Sequence, residues 1–121
     1  MLFRFREFPV YKRAKEFRKL VKKTLITFPN SERYGLIDQI NRATNSICLL
    51  IAEGSNRATD KDKAHYLNQA LTSLEEVIAG FDMALDDRII TQSELDQLLL
   101  LGEDLGKQLI SFGRTLSRSG S

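Results

Sequence analysis

The stretch ERYGLIDQINRATNSICLLIAEG, residues 32–54, decides how this chain folds. Leu36, Ile40, Ala43, Ile47, Leu50 and Gly54 recur at steps of four, three, four, three and four, the period of one apolar helical face. A second row, Ile37, Thr44, Cys48 and Ile51, runs beside it. A helix that is apolar on more than one side needs more than one neighbour, as a helix in a bundle has.

Working outward, the first helix is expected over about Val10–Thr27, where Ala14, Phe17, Val21 and Leu25 repeat with Leu20 beside them. FPNS at 28–31 stops it, because Pro29 cannot continue the hydrogen-bond ladder and biases Phe28 out of the helical region. Asn30 or Ser31 is expected to cap the second helix, with Glu32 in its first turn and Gly54 closing it. Gly35 inside that span costs roughly 1 kcal/mol against Ala, and close approach by another helix would explain it. After the turn SNRAT, a capping box from Thr59 to Asp62 opens a third helix. Its stripe is Leu67, Leu71, Leu74, Ile78, Phe81 and Leu85, flanked by the small row Ala70, Ser73, Val77, Gly80 and Ala84. The box TQSE, Thr91–Glu94, opens a fourth, with Leu95, Leu98, Leu105, Leu109, Phe112 and Leu116 as its stripe. No segment alternates with the two-residue period of a strand. The expected fold is all-α: an antiparallel up-down-up-down four-helix bundle over residues 1–117, with 118–121 as a disordered tail.

A chain of 121 residues can bury a core without metals or disulfides. The single Cys48 excludes an internal disulfide and reads as a small buried hydrophobe. The longest apolar run, ICLLIA, is far below the roughly 18 residues of a membrane span. The apolar stretch in MLFRFREFPV is too short for a signal peptide, so a cytoplasmic protein with no membrane partner is expected. The net charge of +2 is unevenly placed: nine Lys/Arg against Glu7 and Glu16 give residues 1–28 a charge of +7, and the remainder carries −5. Such polarity points to an anionic partner for the opening segment.

Lys12, Lys15, Lys19 and Lys22 share one helical face opposite Phe17 and Val21, and Arg13, Arg18 and Lys23 broaden it. The stripe spans about 15 Å, enough to meet several phosphates of a nucleic-acid backbone. The competing reading is a solvated face, with Glu16 pairing locally. Arg33 and Arg42 are either nucleic-acid contacts or ion pairs to Glu53 or Glu75, and Arg57 is a further candidate contact. The second row of helix two (Ile37, Thr44, Cys48, Ile51), with Leu99 and Leu101 on helix four, exceeds what one small bundle needs. Those residues are expected to form subunit contacts. Chemistry is sparse. His65 has only Asp62 nearby, and Asp82, Asp86 and Asp87 lack a cation-binding loop. No nucleophile–base or phosphate-loop motif occurs, so no catalytic residue, metal or cofactor is expected.

FPNSERYGLIDQINRATNSICLLIAEGSNR, followed by HYLNQALTSLEEV, resembles the four-helix-bundle family encoded by intervening sequences in bacterial 23S ribosomal RNA genes. That family typically reads FP-x-x-E-R-Y-G-L-x-x-Q-I-R-R-A and then I-x-x-N-I-A-E-G. Phe28, Pro29, Glu32, Arg33, Tyr34, Gly35, Leu36, Gln39, Ile40, Arg42, Ala43, Ile51, Ala52, Glu53 and Gly54 match. Leu67, Ala70, Ser73, Leu74 and Glu75 match the family's third helix. Asn41 stands for the first Arg of the usual pair, Leu50 for a common Asn, and Thr72 for a Gly. The resemblance implies a homopentamer with no enzymatic activity assigned. A related branch comprises the accessory proteins of diversity-generating retroelements, basic pentameric barrels that bind a reverse transcriptase and nucleic acid. Two functions are therefore expected in competition. One is a ring-shaped oligomer binding RNA or a ribonucleoprotein through its basic first helix; if those lysines are not the contact, the site is expected at the ring mouth near Arg33 and Arg57. The other is a protein-interaction scaffold, such as a partner of a reverse transcriptase.

Overall fold

The computed structural model describes residues 2–118. Four helices dominate: α1 (Pro9–Leu25), α2 (Leu36–Gly54), α3 (Asp60–Asp86) and α4 (Gln92–Arg118), with short 3-10 turns at Arg4–Glu7 and Asn30–Glu32. Among the described residues there is no strand. α2 packs on α3, α3 on α4, and α1 closes the ring against both α2 and α4, so each helix has two neighbours. The α1–α3 and α2–α4 pairs face each other diagonally across the core.

The pairwise contacts give the directions. On α2 and α3, Gly54 meets Tyr66, Ser46 meets Ser73 and Ile40 meets Gly80, so one number falls as the other rises. Arg18 with Asn45 and Lys22 with Asn41 relate α1 and α2 in the same way. So do Phe8 with Phe112 and Arg13 with Asp104, where α1 meets α4, and Ile78 with Gly102 and Leu71 with Gly106 between α3 and α4. Neighbouring helices run antiparallel, which is the up-down-up-down bundle.

The stripes expected from the period form the core: Phe17, Val21, Ile40, Ile47, Phe81, Leu98, Leu105 and Leu109 are all essentially inaccessible. The second row of α2 is a correction. Thr44, Cys48 and Ile51 are 1%, 8% and 2% exposed within the single chain, so they cannot form a surface between subunits. α2 spends its wide apolar arc on α1, on α3 and on the core beneath α4, leaving no surplus on that side. Ile37, Leu99 and Leu101 are half-buried and pack against the core edge. Thr44 tolerates burial because its hydroxyl donates to the Ile40 carbonyl at 2.7 Å.

Helix ends follow local chemistry, with two surprises at glycines. Thr59 Oγ1 accepts from the Asp62 amide at 3.1 Å, and the Thr91–Glu94 box is reciprocal, with bonds of 3.1 Å and 2.9 Å. Neither Asn30 nor Ser31 caps α2. They lie in a separate turn, and Gly35, exposed and outside any helix contact, is the residue at the cap. The Glu32 carboxylate accepts from the Leu36 amide at 3.4 Å, standing before the helix rather than in its first turn. Gly54 does not stop α2 by a left-handed turn either, since the following Ser55 is still helical. Its role is proximity: a Cβ there would lie 2.7 Å from Cβ of Tyr66. Gly80 does the same at the other end, where a Cβ would lie 2.7 Å from Cγ1 of Ile40. The small row of α3 is thus the seat of α2, bridged midway by Ser46 and Ser73 hydroxyls 3.0 Å apart. Helix α4 runs to Arg118, so the first residue of the tail expected at 118–121 is helical instead, and 119–121 lie outside the described residues.

The α3–α4 connection turns through Arg88, whose φ of 60° is left-handed. The Ile89 amide donates to the Ala84 carbonyl at 2.8 Å and the Arg88 amide to that of Leu85 at 3.0 Å, the bond pair of a Schellman stop. Two outcomes follow. Gly80→Leu should overpack the α2–α3 seam and cost about 1–3 kcal/mol in denaturant unfolding; an unchanged midpoint would place this row away from α2. Arg88→Gly should stabilise by about 1 kcal/mol, since glycine accepts φ > 0 without the Cβ clash. A lower melting temperature would contradict that.

Candidate nucleic-acid interface

α1 divides cleanly by face. Val10, Ala14, Phe17, Val21 and Thr24 are buried. At about 100° per residue the opposite arc carries Lys12, Lys15, Lys19, Lys22 and Lys23. Neighbouring helices decide how much of each charge stays available. Lys22 Nζ donates to Asn41 Oδ1 at 2.9 Å, and Arg18 Nε donates to Asn45 Oδ1 at 3.0 Å. Both acceptors are neutral amides of α2, so they orient the cations without cancelling them. Lys15 Nζ stands 5.1 Å from the centroid of the Tyr11 ring. Lys19 and Lys23 are exposed and make no ion pair among the described residues. Lys12 is held at the edge by Glu7 at 3.1 Å.

The other basic residues fall elsewhere. Arg13 turns toward α4, with Nε 2.7 Å from Asp104 and Nη1 3.0 Å from Glu16, so it does not broaden the face. Arg42 pairs with Asp38 at 3.2 Å on its own helix, 79% exposed, and neither with Glu53 nor with Glu75. Glu53 lies about three turns further along α2, and Glu75 sits exposed on α3. Arg33 stacks over Tyr34 in the α1–α2 loop, whereas Arg57 stacks over Tyr66 in the α2–α3 loop. The 19 residues of α2 separate them by about 28 Å, so Arg33 and Arg57 do not share one mouth.

The structure thus brings together Lys15, Arg18, Lys19, Lys22 and Lys23, beside an α2 edge of Asn41 and Asn45. Charge patterning does not single out those two amides, although their i, i+4 spacing puts them on one face. Tyr11, Lys15, Arg18, Asn45, Cys48 and Leu49 line a groove along this seam. At its floor, burial pushes the Cys48 thiol up from its ordinary pKa, outweighing the opposite pull of Arg18 and then Lys15. Charge is polarised across the bundle as well. α1 carries seven Lys/Arg against Glu16, a net +6, while diagonal α3 carries six acids against Lys61 and Lys63, a net −4. Among the described residues no group of three or more His, Cys, Asp or Glu could hold a metal ion, and no helix is long and apolar enough to cross a membrane.

Alkylation checks the groove floor. With less thiolate than a free cysteine and little access, Cys48 should react with iodoacetamide at pH 8 many-fold more slowly in the folded protein than in denaturant. Equal rates would place the thiol on the surface.

Comparison with known proteins bears on the fold and the lineage. The sequence profile of the family described as 23S rRNA-intervening sequence protein matches residues 6–111. A solved structure of a protein of unknown function from the S23 ribosomal protein family, from Bacteroides thetaiotaomicron VPI-5482, superposes with a TM-score of 0.77 at 22% identity. The match covers 84% of this chain and 95% of that one, and it speaks for the fold alone. No curated protein matches the chain.

Proposed function

The chain belongs to the 23S rRNA-intervening sequence protein family, and from that premise we propose that it is a non-catalytic homo-oligomer that binds RNA or a ribonucleoprotein through the exposed face of α1. One observation carries the reading. Lys15, Arg18, Lys19, Lys22 and Lys23 gather on one side of the bundle, and the groups that touch them are a ring and two amides rather than carboxylates. A merely solvating face gains nothing from leaving its cations unneutralised, whereas a phosphate backbone releases counterions at each one.

Assembly multiplies the effect, because several weak lysine faces on one particle engage a long polymer together. Exposed apolar side chains that could serve subunit contacts include Leu49, Leu100 and Ile110, along with the half-buried Ile37, Leu99 and Leu101. A pentamer, the assembly implied by the family resemblance, should scatter light as about five times the 13.8 kDa chain. A monomer at micromolar concentration would remove the ring and the multivalency.

RNA binding is tested by salt. Four phosphates neutralised per chain should give a log–log slope of about −3 to −4 on a duplex. Lys15→Glu, Lys19→Glu and Lys22→Glu together should abolish binding while leaving helicity and assembly intact, since none of the three enters the core. No salt-sensitive affinity at low ionic strength would contradict the reading and leave the basic face to an acidic protein partner, such as a reverse transcriptase.

A further inference from the structure

The lysine face continues past the start of α1 into a different kind of surface. The turn Arg4–Glu7 packs back against α2. Together with the α2–α3 loop it walls a cleft of about 630 Å³ that includes Phe3, Arg4, Phe5, Glu53, Asn56 and Arg57. Phe3 is 61% exposed and meets Phe5 edge-on, with centroids 6.4 Å apart. Phe5 meets Tyr11 at 5.0 Å, and Tyr11 lies under the ammonium of Lys15. An aromatic line therefore joins the cleft to the cations of α1.

The composition of the cleft differs from that of the lysine face in a way that selects a ligand. An exposed ring offers a stacking platform to any nucleobase, provided the base is not already stacked and paired. Arg4 and Arg57 make no ion pair among the described residues, and they supply the charge for the flanking phosphates. The Glu53 carboxylate and the Asn56 amide match the amino and carbonyl groups of a base edge. In a duplex those edges are consumed by pairing, and the RNA major groove is too deep and narrow for side chains to enter.

We infer that the cleft around Phe3 takes an unpaired segment of RNA, so that the protein favours helices flanked by single strands over blunt ones. The inference rests on the reading that α1 grips an RNA backbone. The test compares, by fluorescence anisotropy, two hairpins with the same stem closed by the same compact tetraloop with stacked bases, one blunt and one carrying an unpaired extension of about six nucleotides at either end. One stacked base should tighten binding of the extended hairpin at least about fivefold over the blunt one. Phe3→Ala should erase that preference without changing affinity for the blunt hairpin, and Phe3→Trp should keep it. Because neither substitution alters charge, the extra phosphates of the extension cannot account for such a pattern. Equal affinity for both hairpins, or a preference that survives Phe3→Ala, overturns the inference. So does a Phe3→Ala protein that keeps the preference but loses co-sedimentation with phosphatidylserine vesicles. Failure of the α1 reading looks different: the Lys15, Lys19 and Lys22 reversal would then leave blunt-hairpin binding unchanged. No affinity for either hairpin overturns both.

Discussion

The bundle hangs on the close approach of α2 to α3. Gly54 and Gly80 leave room at opposite ends of that seam for the body of Tyr66 and the side chain of Ile40, and a serine pair bridges it midway. With no Cβ at those two points the helices settle into contact along their length, and dispersion contacts accumulate where a larger residue would hold them apart. α4 then covers the outer stripe of α3, with Gly102 and Gly106 set against Ile78, Leu74 and Leu71. α1, the shortest of the four, enters last in spatial terms. It rests through Phe17 and Val21 on a platform the other three have made.

That arrangement explains the unusual surface of α1. A helix of 17 residues held by one apolar stripe keeps the rest of its circumference in solvent, and here that arc is cationic. Its neighbours sort the charges rather than quench them all. α4 removes Arg13 through Asp104, whereas α2 presents amide oxygens to Arg18 and Lys22. Surface pairs such as Arg42–Asp38 add little stability, so the pattern is better understood as placement of charge than as a source of folding energy. With acidic α3 on the far side, the two sides of the bundle carry charge of opposite sign.

Much of this was legible in the sequence because periodicity reports burial directly. The four stripes, both Thr-headed helix starts and the small row of α3 all follow from spacing. Spacing does not say which neighbour a wide stripe meets. The second row of α2 pointed outward on that ground, and Thr44, Cys48 and Ile51 belong instead to the chain's own interior. Glycines were equally ambiguous. Gly35, Gly54 and Gly80 look alike in a sequence, yet one sits at a helix cap and two serve close approach, a distinction made only by the partner helix. On the candidate site, the lysine face was visible from α1 alone. The loss of Arg13 to α4, the amide edge of α2 and the separation of Arg33 from Arg57 depend on which helices pair and in which register.

The central claim is that an RNA backbone is gripped by the lysine face of α1. Lysine acetylation footprinting with and without a saturating RNA hairpin, read by mass spectrometry, tests it residue by residue on the native assembly. The account predicts strong protection of Lys15, Lys19, Lys22 and Lys23, while Lys61 on α3 and Lys107 on α4 stay reactive, since both are exposed on other helices. Protection of Lys61 and Lys107 with the α1 lysines still reactive would contradict it.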